Sequence, residues 1–128
     1  YTTLFRSKTM LRLGNERNEL GIISDQIGSP TYAKDLAKVI VKIIESDSNE
    51  YGVYHYSNEG VASWYDFAKA IFDLSDTKIN VNAIPSSSYP TPAKRPHYSV
   101  LDKSKLKTNL GIEIPYWRDS LKEAISFL

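Results

Sequence analysis

Apolar residues recur at helical spacing along several stretches of the chain and gather into short runs between them. Leu36, Val39, Ile40, Ile43 and Ile44 fall at i, i+3, i+4, i+7 and i+8, which predicts an amphipathic helix over about residues 32–45, with Thr31 placed to cap its first turn. Trp64, Phe67, Ala68, Ile71 and Phe72 mark a second helical face that ends near Ser75, and Ser63 with Asp66 forms a capping box at its start. Past Pro115, Trp117, Leu121, Ala124, Ile125 and Leu128 predict a closing helix. A short helix from a cap at Asp102 to Leu110 stops at Gly111, and good helix formers with Met10 and Leu13 predict another over residues 8–18. Three runs read as strands: the apolar residues 20–24, the β-branched and aromatic residues 52–56, and the weakly alternating residues 78–84. Asn58-Glu59-Gly60 turns the chain between strand and helix.

Two proline-punctuated loops interrupt this pattern, Asp25-Gln26-Ile27-Gly28-Ser29-Pro30-Thr31 and Tyr89-Pro90-Thr91-Pro92-Ala93-Lys94-Arg95-Pro96. Each holds polar or cationic groups on a stiff, non-repetitive backbone beside a readable element, as a ligand-facing loop requires. The 128 residues suit one domain, and 41% hydrophobic with 24% charged residues is ordinary for a globular chain. No apolar run approaches the roughly 20 residues that cross a bilayer. Sixteen basic against fifteen acidic residues leave a net charge of +1, so no global field draws nucleic acid or anionic lipid, and any anion site must be local. The absence of cysteine excludes disulfides, thiolate catalysis and cysteine-bound zinc, and fits a reducing cytoplasm. Residues 1–7 match no helix-start pattern and read as a non-native leader ahead of a single unit over residues 8–128, without the apolar core of a secretory signal.

Six stretches in order carry a resemblance. They are Lys8-Thr9-Met10-Leu11-Arg12-Leu13; the first loop with Ala33-Lys34-Asp35-Leu36-Ala37; Gly52-Val53-Tyr54-His55-Tyr56-Ser57-Asn58-Glu59-Gly60; Ser63-Trp64-Tyr65-Asp66-Phe67-Ala68; the second loop with Tyr98-Ser99-Val100-Leu101-Asp102; and Ile114-Pro115-Tyr116-Trp117. Together they resemble the C-terminal, substrate-binding part of the dTDP-4-dehydrorhamnose reductase family, within the extended short-chain dehydrogenase/reductases. The resemblance implies a mixed α/β substrate-binding lobe, helix-rich with a few short strands, of a cytoplasmic enzyme that uses NADPH to reduce the 4-keto group of dTDP-4-dehydro-L-rhamnose for cell-surface polysaccharide synthesis. In that family the dinucleotide turn and the catalytic Tyr-x-x-x-Lys pair belong to an N-terminal cofactor lobe. Neither is matched here, so the chain is expected to bind the dTDP-sugar, to bind no cofactor itself and to be inactive alone. Its six glycines never approach Gly-x-Gly-x-x-Gly spacing, and Tyr65 to Lys69, which does satisfy Tyr-x-x-x-Lys, reads as a solvated i, i+4 pair. A non-enzymatic nucleotide-sugar module, or a reductase or epimerase for a related 4-keto sugar, would share these stretches.

Among candidate ligand contacts, Arg95 stands first. Its guanidinium can fork two hydrogen bonds to a diphosphate, and Pro96 holds its backbone extended. The family's Arg-Pro at this place carries that role onto Arg95, with Lys94 beside it; an ordinary surface charge pair is the plainer alternative. Gln26 can donate and accept toward sugar or nucleotide, or order its own loop. Thr31 reads more as a helix cap than as a contact, and Asp25 as a brace. Tyr89 and Tyr98 flank the cationic pair and could stack on a base or pack in the core. Lys8 and Arg12 lie four apart on the first helix and could neutralise phosphate or simply face solvent. His55 and His97 lack metal-spaced partners, so no transition-metal site is expected. Some family members bridge a homodimer through glutamate-bound magnesium; Glu16 lies where one such carboxylate falls, but Phe127 stands about where the other belongs, so the match leaves magnesium and that bridge in doubt while a homodimer stays open.

Overall fold

The computed structural model describes the backbone of residues 3–128 and the side chains from Ser7 onward. The expected leader therefore falls largely outside the described side chains; the first helix, α1, runs Thr3–Glu16, and Ser7 within it is buried. Strand β1 (Glu19–Ile23) follows, then a two-residue strand β2 (Ile27–Gly28) and helix α2 (Ala33–Glu45). A short β3 (Ala62–Ser63) leads directly into α3 (Trp64–Leu74), and β4 (Asn80–Ile84), a 3-10 turn at Ser86–Ser88, α4 (Ser104–Leu110) and α5 (Trp117–Ile125) complete the chain.

β1 and β4 pair in parallel with Leu20 opposite Val81, so the intervening chain must cross over, and it does so through α2 and α3. α3 packs under this pair because its Phe67, Ala68, Ala70, Ile71 and Phe72 fall on one side, and they join Leu20, Val81, Trp117 and Leu121 in the main core. Its start is fixed as the sequence predicts: Ser63 Oγ accepts from Asp66 N at 3.0 Å while the Asp66 carboxylate accepts from Ser63 N at 2.9 Å. A second cluster forms where Val39 of α2 meets Leu106 and Ile112, with Ile43, Tyr54, Tyr56, Leu110 and Ile114 around them. No helix of the described residues is long and apolar enough to cross a membrane.

Three local expectations change. Thr31 does not cap α2: the cap position is Tyr32, no side chain caps it, and the Thr31 hydroxyl donates back to the Ser29 carbonyl at 3.0 Å. The Tyr32 amide is instead taken by the side-chain oxygen of Asn58 at 2.9 Å, a partner no local spacing reveals. Asp102 sits one residue before the cap of α4, yet its carboxylate accepts from Ser104 N at 2.9 Å, so it serves the same orphaned amides. Residues 52–56 form no strand, since nothing among the described residues pairs with them.

Between the two clusters lies a buried polar knot. Asn58 is fully buried; its side-chain amide donates to Asp35 Oδ2 at 2.8 Å, to Ser120 Oγ at 2.8 Å and to the Pro115 carbonyl at 3.2 Å, and its own carbonyl accepts from Lys103 Nζ at 3.0 Å. Asp35 is only 4% exposed, and Ser120 Oγ also donates to it at 2.5 Å. Lys103, 8% exposed, reaches Glu59 at 3.3 Å, and Lys107 binds the other oxygen of the same carboxylate. These bonds lock the first turn of α2, the 57–60 turn and α5 into one unit, with every buried charge matched by donors or an opposite charge.

Candidate functional site: a cavity between two loops

The first loop is pinned at both ends. The Asp25 carboxylate accepts from Ser86 N and Ser86 Oγ, each at 2.9 Å, and His97 Nδ1 lies 2.9 Å from the Asp25 carbonyl oxygen. Ile27 then forms the middle of a narrow strip. On one side its amide donates to the His97 carbonyl at 2.7 Å and its carbonyl accepts from Ser99 N at 2.9 Å; on the other it pairs antiparallel with Ser63. The end of the second loop is thus laid beside the first by backbone bonds. Asp25 braces the loop, as the sequence reading proposed.

Its carboxyl is held below its ordinary value of 3.8, first by the Ser86 amide. A depressed folded-state value means the bracing is in place above that ordinary value and is lost as pH falls through the lower folded one. The protection of the loop amides relative to their intrinsic exchange rates should therefore be constant near pH 5 and fall only in stronger acid. Asp25→Asn should show the lower protection near pH 5 and converge with wild type in strong acid.

Gly60 ties down the first loop from outside the cavity lining. Its φ of +84° lies in the left-handed region, its carbonyl accepts from Ser29 Oγ at 2.8 Å, and an added Cβ would strike the Tyr116 ring and sit 2.9 Å from Trp117 Cδ1. Gly60→Ala is expected to lower stability by about 2–3 kcal/mol. Urea unfolding checks this; a loss under about 0.5 kcal/mol would show that the Tyr116 ring gives way freely.

Between these supports lies a cavity of about 460 Å³. Its lining brings together Gln26, Ser29, Pro30 and Thr31 of the first loop, Tyr56 and Ser57, the start of α3 at Ser63, Trp64 and Phe67, and Arg95, Pro96, Ser99 and Leu101. Arg95 is the one charged residue in that lining, and among the described residues no hydrogen bond or ion pair engages its guanidinium. The Tyr56 hydroxyl and Ser57 Oγ are buried without a partner. The phenol is pushed up to about 12, chiefly by burial and then by Asp35 and Glu59, so it stays neutral at physiological pH. A concave site with indole and phenyl walls, several neutral hydrogen-bonding groups and one unpaired guanidinium at its rim suits a ligand combining ring faces, hydroxyls and an anionic group.

Of the sequence candidates, Arg95, Gln26 and Thr31 meet in this cavity. Lys94 is exposed beside it and does not line it. Tyr89 and Tyr98, 62% and 66% exposed, also stay outside the lining; Tyr98 contributes backbone pairing to Ile27. Lys8 and Arg12 are exposed on α1, away from the lining, and Arg12 binds Glu16 at 3.0 Å. Tyr65 and Lys69 border a different cavity, with Arg118 and Asp73. The sequence reading missed Ser57, Ser63, Trp64 and Phe67 as wall residues because Trp64 and Phe67 obey core periodicity; only the fold shows that the first turn of α3 faces both core and cavity.

The family described as RmlD substrate binding domain matches residues 5–128. The chain belongs to that family. The dTDP-4-dehydrorhamnose reductase of Aggregatibacter actinomycetemcomitans is 46% identical over 126 residues, which is 90% of this chain and 42% of that protein. The crystal structure of a dTDP-4-dehydrorhamnose reductase from Clostridium acetobutylicum superimposes with a TM-score of 0.89 at 41% identity, covering 94% of this chain and 42% of that one. The Bacillus anthracis enzyme, solved in complex with NADP, gives 0.86 at 40% identity with the same coverage. The mixed α/β, helix-rich architecture read from the sequence is therefore that of RmlD substrate binding domains. The chain spans less than half the length of these relatives.

Proposed function

We propose that this chain is the dTDP-sugar-binding lobe of a reductase that converts dTDP-4-dehydro-L-rhamnose to dTDP-L-rhamnose with NADPH, for cell-surface polysaccharide synthesis. The observation that carries it is the lone unpaired guanidinium of Arg95 in one cavity with Gln26, on a scaffold shared with dTDP-4-dehydrorhamnose reductases. On this reading Arg95 forks to the diphosphate, Lys94 adds charge from the rim, and Gln26 with Thr31 and the serine hydroxyls orient the sugar or base. The lobe's contribution to rate is positioning and exclusion of water.

The residues present do not fit NADPH. None of the six glycines falls in Gly-x-Gly-x-x-Gly spacing, so the sequence offers no dinucleotide-binding fingerprint of that kind. On this reading hydride transfer belongs to a cofactor lobe like the one the longer relatives have room for, in the cytoplasm where nucleotide sugars are made. Competition binding tests the proposal. dTDP and dTDP-L-rhamnose should displace each other from a single site while NADPH displaces neither. Binding of NADPH with no binding of dTDP would contradict it.

A further inference from the structure

We infer that Asp25 is a positioning residue for Arg95: it closes the neck of an exposed loop over residues 86–97 and so sets how firmly an anionic ligand is held, without itself reaching the cavity. The inference rests on the reading of Arg95 as the diphosphate contact and adds to it a residue outside the lining.

The first observation is the shape of the second loop. Residues 87–99 are all exposed, and among the described residues none of 87–96 forms a hydrogen bond or ion pair with chain outside residues 85–97. The loop's bonds turn inward: Ser88 N donates to the Pro85 carbonyl at 3.0 Å, Tyr89 N to the Ser86 carbonyl at 3.1 Å, and Thr91 Oγ1 to the Ala93 carbonyl at 2.8 Å. Pro90, Pro92 and Pro96 stiffen it further. A self-bonded surface excursion of this length with its ends held together is an Ω-loop, and without outside bonds it can shift as a body about its neck.

The second observation is what closes that neck. Among the described residues the two ends of the loop form no hydrogen bond with each other, and Asp25 spans them. At the start its carboxylate accepts from Ser86 N and Ser86 Oγ, each at 2.9 Å. At the end its carbonyl oxygen lies 2.9 Å from His97 Nδ1, and Oδ2 lies 4.0 Å from the same nitrogen. Ser24 N donates to the Ile84 carbonyl at 3.0 Å and Ile27 N to the His97 carbonyl at 2.7 Å, so the chain on either side is fixed and Asp25 is the link between.

The third observation is where Arg95 stands. It lies two residues before His97, and with Pro96 it is the part of the loop that lines the cavity. Its guanidinium has no partner among the described residues, so the backbone alone sets its place. An open neck would spread Arg95 over many positions, and a bound anion would have to gather it at an entropic cost. Charge argues the other way. A carboxylate near a phosphate site repels the ligand, so Coulomb's law by itself says that losing Asp25 tightens binding. Positioning predicts the opposite sign.

Calorimetric titration of dTDP into Asp25→Ala, made in this chain and again on an Arg95→Ala background, tests the inference. Loss of the clasp should weaken binding about three- to tenfold where Arg95 is present and less than about twofold where it is absent. Asp25→Asn keeps an acceptor of the same shape for the Ser86 amide and should return binding to within about threefold of wild type. Ser86→Ala removes one bond of the clasp outside the core, and its smaller loss should depend on Arg95 in the same way. Tighter binding in Asp25→Ala, no change, or an equal loss on both backgrounds would overturn the inference, the last because Asp25 would then act on the cavity as a whole. Nitrogen-15 relaxation without ligand separates this failure from failure of the proposed function. Order parameters of the amides of residues 87–95 should fall together from near 0.85 to below about 0.6 in Asp25→Ala. A loop as ordered as in wild type would refute the clasp whatever dTDP does, whereas an Arg95→Ala chain that binds dTDP as tightly as wild type would refute the reading on which the clasp's role depends.

Discussion

Arg95→Ala is expected to weaken dTDP binding roughly tenfold to a hundredfold, the range set by losing about 1.5–3 kcal/mol of charge-assisted hydrogen bonding. The expectation follows from position. Arg95 is the one charge lining a cavity whose other polar groups are neutral, so no second cation in the lining can substitute for it. Pro96 restricts its backbone, and the His97 carbonyl and Ser99 amide are bonded to Ile27, so the guanidinium is presented from a fixed platform. Arg95→Lys should fall between wild type and alanine, because an ammonium keeps the charge and loses the fork. The side chain is exposed, so added salt should weaken wild-type binding and hardly alter the alanine variant. Calorimetric titration reads all of these. Equal affinity in wild type and Arg95→Ala would remove the residue from the site.

Asn58→Ala is expected to cost about 3 kcal/mol of folding stability and to lower the unfolding midpoint by roughly 10 °C. A single amide serves Asp35, Ser120, the Pro115 carbonyl and the Tyr32 amide, and removing it leaves a buried carboxylate short of a donor and the first turn of α2 short of an acceptor. Asn58→Asp should be at least as harmful, since it sets a like charge beside Asp35. The loss should reach the ligand as well. Ser57, next to Asn58 in the chain, lines the cavity, and Gly60 two residues on holds Ser29, so dTDP affinity should fall even at temperatures where the variant remains folded. Thermal unfolding followed by circular dichroism checks the first effect, and a loss below about 1 kcal/mol would show that water replaces the amide.

The helices were legible because their signals are local. The stripe of α2, the capping box of α3, and the αL glycine at position 111 with φ +59° each depend on residues within a turn or two of one another. The parallel strands were legible as runs, but their pairing was not, since Leu20 and Val81 meet only after the chain has crossed over. Residues 52–56 read as a strand and remain unpaired, because strand-forming composition names a suitable residue set and cannot supply a partner. The polar knot escaped notice for the same reason: Asn58 looked like a turn residue, and its burial arises from Tyr32, Pro115 and Ser120, all distant in sequence.

At the site, the two loops stood out through proline and charge, and their meeting depends on one strand residue. Ile27 bonds to both neighbours, and that bonding places Arg95 and Gln26 around a common space. Tyr89 and Tyr98 attracted attention for their rings, yet backbone register decides which rings reach a cavity, and the aromatic walls come from Trp64 and Phe67 instead. Lys8 and Arg12 shared a helix face as expected, but that helix packs on α3 and β1 rather than beside the loops.

Nitrogen-15 chemical-shift mapping of dTDP on this chain tests the central claim most directly. The account predicts saturable shifts concentrated at Gln26, Ser57, Trp64, Arg95 and Ser99, around the 460 Å³ cavity. Saturable shifts centred instead on Lys69, Lys78 and Arg118, around a separate hollow, would contradict it.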